Sequence, residues 1–187
     1  FYSRPSDGSR GAPDIDIRIA NEIPMSAQEL WKILGTPEFD TFVAKEYELK
    51  EYTELERSIT ESLTKRRVRI VTGTNLSYIP WGFAHKILRS DRVVYEETQY
   101  KYNHRYEMRW SNEWLEPPLL KDRLRGRGRL RLIPIDEGRC KRIREMTLHI
   151  DLFAVGPILE GMAAERAKKT SGKFSRVVAK WKARSRL

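Results

Sequence analysis

The stretch Arg123-Leu124-Arg125-Gly126-Arg127-Gly128-Arg129-Leu130-Arg131-Leu132, followed by the turn Asp136-Glu137-Gly138 and by Met146-Thr147-Leu148-His149-Ile150, decides the reading of the fold. Both arms alternate with a period of two, the repeat of a strand with one buried and one solvated face. One face of the first arm carries Leu124, Gly126, Gly128, Leu130 and Leu132, and the other carries Arg125, Arg127, Arg129 and Arg131. In the second arm Met146, Leu148, Ile150 and Leu152 share the apolar face, opposite Glu145, Thr147, His149 and Asp151. The Asp-Glu-Gly turn folds the arms into an antiparallel hairpin. Joining like faces sets Arg131 opposite Glu145 and Arg125 opposite Asp151.

Working outward, strand periodicity recurs over Tyr47–Leu55, Thr60–Thr72, Arg92–Tyr102 and Arg105–Trp114, so the hairpin strands span Arg123–Ile135 and Arg139–Phe153. In Arg105–Trp114, Tyr106, Met108, Trp110 and Trp114 point inward, while Glu107 and Glu113 point outward within reach of Arg131 and Arg125. Upstream, Asp14 to Ile23 alternates with Ile15, Ile17 and Ile19 on the core side. Ser26-Ala27-Gln28-Glu29 then forms a capping box that starts a helix with Leu30, Trp31 and Leu34 inward, stopping at Gly35. Pro37 opens a second short helix carrying Phe39, Phe42 and Val43. Between the third and fourth strands, Asn75 to Phe83 forms an aromatic loop, with a short helix to Leu88 after it. Beyond Gly156-Pro157 the period becomes 3.6, and Leu159, Ala163, Ala167, Thr170, Phe174, Val177, Val178 and Trp181 fall on one helical face.

The order is strand, two short helices, six strands and a long helix. With the opening Ile23-Pro24-Met25-Ser26-Ala27-Gln28-Glu29-Leu30-Trp31 and the strands Val93-Val94-Tyr95-Glu96-Glu97 and Gly126-Arg127-Gly128-Arg129-Leu130, the chain resembles the START-like superfamily, also called birch-pollen-allergen-like, and within it an uncharacterised subfamily. The resemblance covers residues 14–183, leaving 1–13 as a Gly-, Ser- and Pro-rich flexible arm and 184–187 as a basic tail end. It implies an α+β helix-grip fold: a curved seven-stranded antiparallel sheet around a long C-terminal helix. It also implies a cavity between them for a lipid, sterol, pigment or quinone-like molecule.

The residues expected to line that cavity are Tyr106, Met108, Trp110, Leu130, Leu132, Met146, Leu148 and Ile150 from the sheet and Leu159, Met162 and Ala163 from the helix. Trp81 and Phe83 form a lid from the aromatic loop. Gly126 and Gly128 remove side chains from mid-strand, and Gly161, Ala163, Ala164, Ala167, Ser171 and Gly172 keep the first half of the helix thin. Small residues facing small residues leave either an open cavity or a close approach of helix to sheet.

Charge is concentrated at one end. The formal net charge is +10, and nine of the 36 Lys and Arg lie between Arg166 and Leu187, where no acid occurs. Outside that segment, basic and acidic residues nearly balance. Arg166, Lys168, Lys169, Lys173, Arg176 and Lys180 are therefore candidates for docking on an anionic membrane surface or on an acidic protein patch within a larger complex. The arginine stripe of Arg123–Ile135 faces acids on both neighbouring strands, which disfavours a nucleic-acid partner.

Catalytic constellations are scarce. His85, His104 and His149 have no metal-ligand spacing to one another or to Cys140, the lone cysteine, which is read as a buried inert thiol. No Gly-rich phosphate loop or nucleophile elbow occurs. Adjacent Glu96 and Glu97 cannot both face inward; Glu96 is assigned inward and Glu97 outward, as ion-pair residues. The sequence therefore points to a non-catalytic carrier of a hydrophobic ligand, without cofactor or metal. The alternatives are an accessory subunit docked through its N-terminal arm and basic helix, and an enzyme of the polyketide-cyclase type. No stretch is apolar enough to span a bilayer, which leads to the expectation of an intracellular protein, soluble or peripheral to a membrane. The chain opens at Phe1 rather than Met, which raises the expectation of an upstream targeting segment and a plastid or mitochondrial address.

Overall fold

The computed structural model describes residues 14–73, 92–151 and 172–184. In chain order its elements are β1 (Ile15–Ile23), α1 (Ala27–Ile33), α2 (Pro37–Glu46), β2 (Glu51–Ile59), β3 (Leu63–Gly73), β4 (Arg92–Tyr102), β5 (Glu107–Glu116), β6 (Leu124–Asp136) and β7 (Arg139–Ile150). A C-terminal helix, α3, spans residues 172–184. The strands form one antiparallel sheet in the order β1-β7-β6-β5-β4-β3-β2, so the first strand closes onto the last and β2 is the far edge. None of the described helices is long and apolar enough to cross a membrane.

Local signals explain the helix starts. Ser26 accepts from the Glu29 backbone N–H while the Glu29 carboxylate accepts from that of Ser26, which completes the capping box. Gly35 adopts a left-handed φ of 84°, and Thr36 then caps α2 with Pro37 in its first turn. The main core joins Ile23, Leu30, Trp31, Phe39, Leu130, Leu132, Cys140, Phe174 and Val178, so α1, α2 and α3 all pack against the β6–β7 end of the sheet.

Three strands start two or more residues later than the sequence reading, and β2 and β5 run past their expected ends to Ile59 and Glu116 while β7 stops at Ile150. The second strand begins at Glu51 rather than Tyr47, because α2 runs on to Glu46 and Glu48 takes a left-handed turn. The third begins at Leu63, because Thr60 to Leu63 closes a turn through the Thr60 N–H to the Leu63 carbonyl at 2.8 Å. The fifth begins at Glu107, leaving Tyr106 in the preceding turn at φ 46°.

The hairpin register is also corrected. Glu145 lies opposite Arg129, not Arg131, and Arg125 lies opposite His149, not Asp151. The two-residue loop Glu137-Gly138 pairs Asp136 with Arg139, a register that would set opposite faces together. Pro134 pairs with Cys140, so Ile135 is an extra residue that restores like-to-like faces. The outer-face ion pairs survive the shift. Glu145 holds Arg129 at 2.7 Å and approaches Arg131 and Arg18 at 3.5 Å each. On the other side Glu107 stands opposite Arg131 and Glu113 opposite Arg125, as the alternation requires.

Candidate functional site

Register builds the inner face row by row. Gln99, Trp110, Gly128, Met146 and Ile17 stand side by side across β4, β5, β6, β7 and β1. The next row is Lys101, Met108, Leu130, Arg144 and Ile19, and beyond it Leu132, Arg142 and Asn21. On the opposite side of the first row lie Glu97, Asn112, Gly126, Leu148 and Ile15.

The lining residues expected from sequence separate into two groups. Leu130 and Leu132 are buried, with Met108 and Tyr106 packed beside them against α1 and α3, and the Trp31 and Tyr106 rings meet edge to face at 6.0 Å. Trp110 and Met146 belong to a second cluster with Ile17, flanked by Ile15, Ile19 and Leu148. Ile150 stands opposite Leu124 at the end of β7. Gly128 does not leave free space: a Cβ there would collide with Trp110 Cζ2 and lie 2.5 Å from the Glu145 carbonyl, so the indole occupies the room a side chain would need. Gly126 is looser, with Leu148 Cδ2 3.2 Å from the corresponding point. Leu159, Met162, Ala163, Trp81, Phe83, Arg166, Lys168 and Lys169 lie outside the described residues.

The described docking candidates turn partly toward their own fold. Lys180 pairs with Glu46 at 2.7 Å, and Lys173 sits 5.2 Å from the centre of the Tyr47 ring. Arg176 is exposed.

Polar groups that the sequence reading did not place inward distinguish this face. Arg142 is only 7 % exposed, and its guanidinium lies 4.1 Å from the centre of the Phe174 ring. Its Nε and Nη1 are buried without a hydrogen-bond partner, as are Asn112 Oδ1 and Trp114 Nε1. Arg144 stands two residues along the same face, its guanidinium 5.0 Å from the Trp110 ring centre. Glu97, not Glu96, is the inward carboxylate, because Glu97 lies between Val68 and Asn112 while Glu96 accepts from Arg69 at 2.8 Å on the outer face. Glu97 accepts from Gln99 Nε2 at 2.5 Å. Burial raises its pKa, against the opposing pull of Arg144. Burial likewise raises the Tyr47 hydroxyl, against Arg142 and Arg144. Burial, reinforced by Arg144, pushes Arg142 down to about 9, so it is charged at neutral pH. The signal for Arg142 and Arg144 was present in sequence: the even-numbered face of Met146, Leu148 and Ile150 runs back through both.

A second polar cluster lies at the other end of the face. Arg66 hydrogen-bonds Gln99 at 2.6 Å and Tyr52 at 3.2 Å and pairs with Asp40. Lys101 donates to the Trp31 and Leu34 carbonyls at 2.6 and 2.7 Å, closing the C-terminal end of α1. Arg66, Gln99, Lys101 and Leu34 border a cavity of about 140 Å³ with Lys32, Arg57 and Met108. No group of three or more His, Cys, Asp or Glu able to hold a metal occurs among the described residues.

Residues 18–181 match the model of a family described as "Protein of unknown function (DUF2505)". No curated protein matches the chain in sequence. Among solved structures, a START superfamily protein from Mycobacterium smegmatis superposes with a TM-score of 0.62 at 13% identity, covering 89% of this chain and 99% of that one. The Zhui aromatase/cyclase from Streptomyces sp. R1128 gives 0.62 at 10% identity, covering 89% and 92%. Ara h 8.0201 gives 0.61 at 11% identity, covering 89% and 97%. The fold is the helix-grip fold that these structures share.

Proposed function

The chain belongs to the DUF2505 family, and from that premise we propose that it binds a hydrophobic small molecule without transforming it, in the space between the inner face of the sheet and the C-terminal helix. The ligand class is that of a lipid, sterol, pigment or quinone-like molecule.

What supports the reading is one observation above the rest: the apolar surface of Trp110, Met146 and Ile17 lies on the same face as buried polar atoms that no described residue satisfies. Each such atom costs about 1–3 kcal/mol when left unpaired, and an interior shaped for stability alone would pair or delete it. A binding face retains such groups because a guest completes them. Binding is preferred over turnover because the inward Glu97 is held by Gln99 and has no second carboxylate of the described residues in hydrogen-bond contact.

Native mass spectrometry of gently purified protein, followed by organic extraction, tests this. A stoichiometric apolar molecule is the expected result. A clean apo mass, together with failure to take up fluorescent lipid analogues, would overturn it in favour of an accessory subunit of a larger assembly.

A further inference from the structure

Arg142 and Arg144 present two adjacent cations to the inner face. Neither has a carboxylate of the described residues within ion-pair distance. Arg142 is nine-tenths buried, with donors on two edges of its guanidinium left open. A buried guanidinium cannot shed its charge as readily as an amine does, so it needs a counter-charge. Glu97 feels the charge of Arg144 but is drawn toward its neutral form by burial. Phe174 and Trp110 lie against the Arg142 and Arg144 guanidinium groups at 4.1 and 5.0 Å, and the open Nε and Nη1 of Arg142 are buried.

Resting on the hydrophobic-ligand reading above, we propose that the ligand is an acidic amphiphile, whose carboxylate sits against Arg142 and Arg144 and whose apolar body lies along Trp110, Met146 and Ile17. The carboxylate supplies the acceptor that Arg142 lacks and a counter-charge for both arginines. A charge-assisted hydrogen bond made away from water is about twice as strong as a neutral one, so the head group sets the selectivity and the apolar strip adds affinity. A neutral alcohol of the same length would leave the arginines unpaired and bind less tightly.

The test is titration of the full chain with dodecanoate and with dodecanol, read by displacement of a fluorescent lipid analogue. Dodecanoate should bind at least about tenfold more tightly, the ratio that one added charge-assisted hydrogen bond gives. Arg142→Met should remove most of the preference for the acid, and Arg142→Met combined with Arg144→Gln should bring the two ligands to equal affinity. Arg144→Gln, at a less buried position, should reduce the preference partway, and it serves if Arg142→Met does not fold. Equal binding of acid and alcohol by the unaltered protein would overturn the head-group assignment and leave the hydrophobic reading standing. Binding of neither molecule, nor of the fluorescent analogue, would overturn both. A preference for the acid that survives both substitutions would place the anion elsewhere and also overturn the assignment.

Discussion

Arg66 and Arg142 are each 7 % exposed and each project from the inner face of the same sheet, yet their surroundings are opposite. Arg66 is surrounded by acceptors from four segments: Asp40 of α2, Gln99 of β4, Tyr52 of β2 and the Gly35 carbonyl between the first two helices. Arg142 has an aromatic ring and no acceptor at Nε or Nη1. The first cation ties two helices to the edge of the sheet. The second is held in place by packing alone and keeps its hydrogen-bonding capacity unspent. Equal burial therefore does not mean an equal role; what separates the two is where each donor ends.

The largest expected effect follows directly. Arg66→Met strands Asp40 in a largely buried site and removes the contacts to Gln99 and Tyr52. It should cost about 3–5 kcal/mol, read from urea denaturation, as removal of one partner of a buried pair does. A loss below about 1 kcal/mol would mean that this end of the face is as loosely accounted for as the other, and the contrast would fail.

Gly128→Ala comes next, at the Arg142 end. The new methyl meets both the Trp110 indole and the fixed Glu145 carbonyl, so overpacking should cost about 1–3 kcal/mol. Gly126→Ala, whose nearest neighbour is a movable Leu148 methyl, should cost less. Because Trp110 also covers Arg144, Gly128→Ala should weaken ligand uptake as well as stability, whereas Gly126→Ala should leave uptake intact. Equal costs at the two glycines would mean that Trp110 yields easily and does not define the site.

Arg142→Met should have a smaller effect on stability. The change loses a guanidinium–ring contact but also removes an unpaired buried charge, two terms of similar size and opposite sign. The melting free energy should stay level or rise by about 1 kcal/mol, measured by the same denaturation. A loss comparable to that of Arg66→Met would show that Arg142 is structural.

The difference between these two cations bears on what sequence can reveal. Strand alternation placed the inward and outward residues of β5 and β6 and, with the capping box at Ser26 and the α3 stripe Phe174, Val177, Val178 and Trp181, gave the element order. Those signals are local and periodic. The partners of Arg66 come from positions 40, 52 and 99, brought together only by closure of the sheet, and no spacing announces them. The hairpin register depended on the single extra residue Ile135, which preserves the facing pattern and so leaves no trace in the alternation. Glu96 and Glu97 were exchanged because the run Val93-Val94-Tyr95 before them offers apolar residues of both parities, and only the register against Trp110 and Asn112 of β5 decides which face is inward. Arg142 and Arg144 were legible by parity but carry the wrong residue type for an interior. Charged residues at core positions are where a pattern reading fails when a site is present.

The smallest effect concerns pH, and it assigns a titration to one end of the face. Burial, with Arg66 beside it, pushes Lys101 down to about 8 from its ordinary 10.5. Between pH 8 and 9 the folded protein gives up this proton while the unfolded chain retains it. The unfolded state then binds more protons, and stability rises with pH. From pH 9 upward Cys140, raised by burial to about 11 from 9.0, works in the opposite direction, because the unfolded thiol ionises first and favours unfolding. Arg142, lowered by burial to about 9, adds a rise of the same sign from about pH 9, so the part due to Lys101 is read alone in Arg142→Met and is small, since Lys101 is only partly buried. Denaturation at pH 8.0, 8.5 and 9.0 should show a rise in the unaltered protein, and in Arg142→Met a remaining rise that adding Lys101→Met removes. If Arg142→Met abolished the rise and Lys101→Met kept it, the titrating cation would lie at the ligand-facing end, and the separation between an anchored cluster and an open one would have to be redrawn.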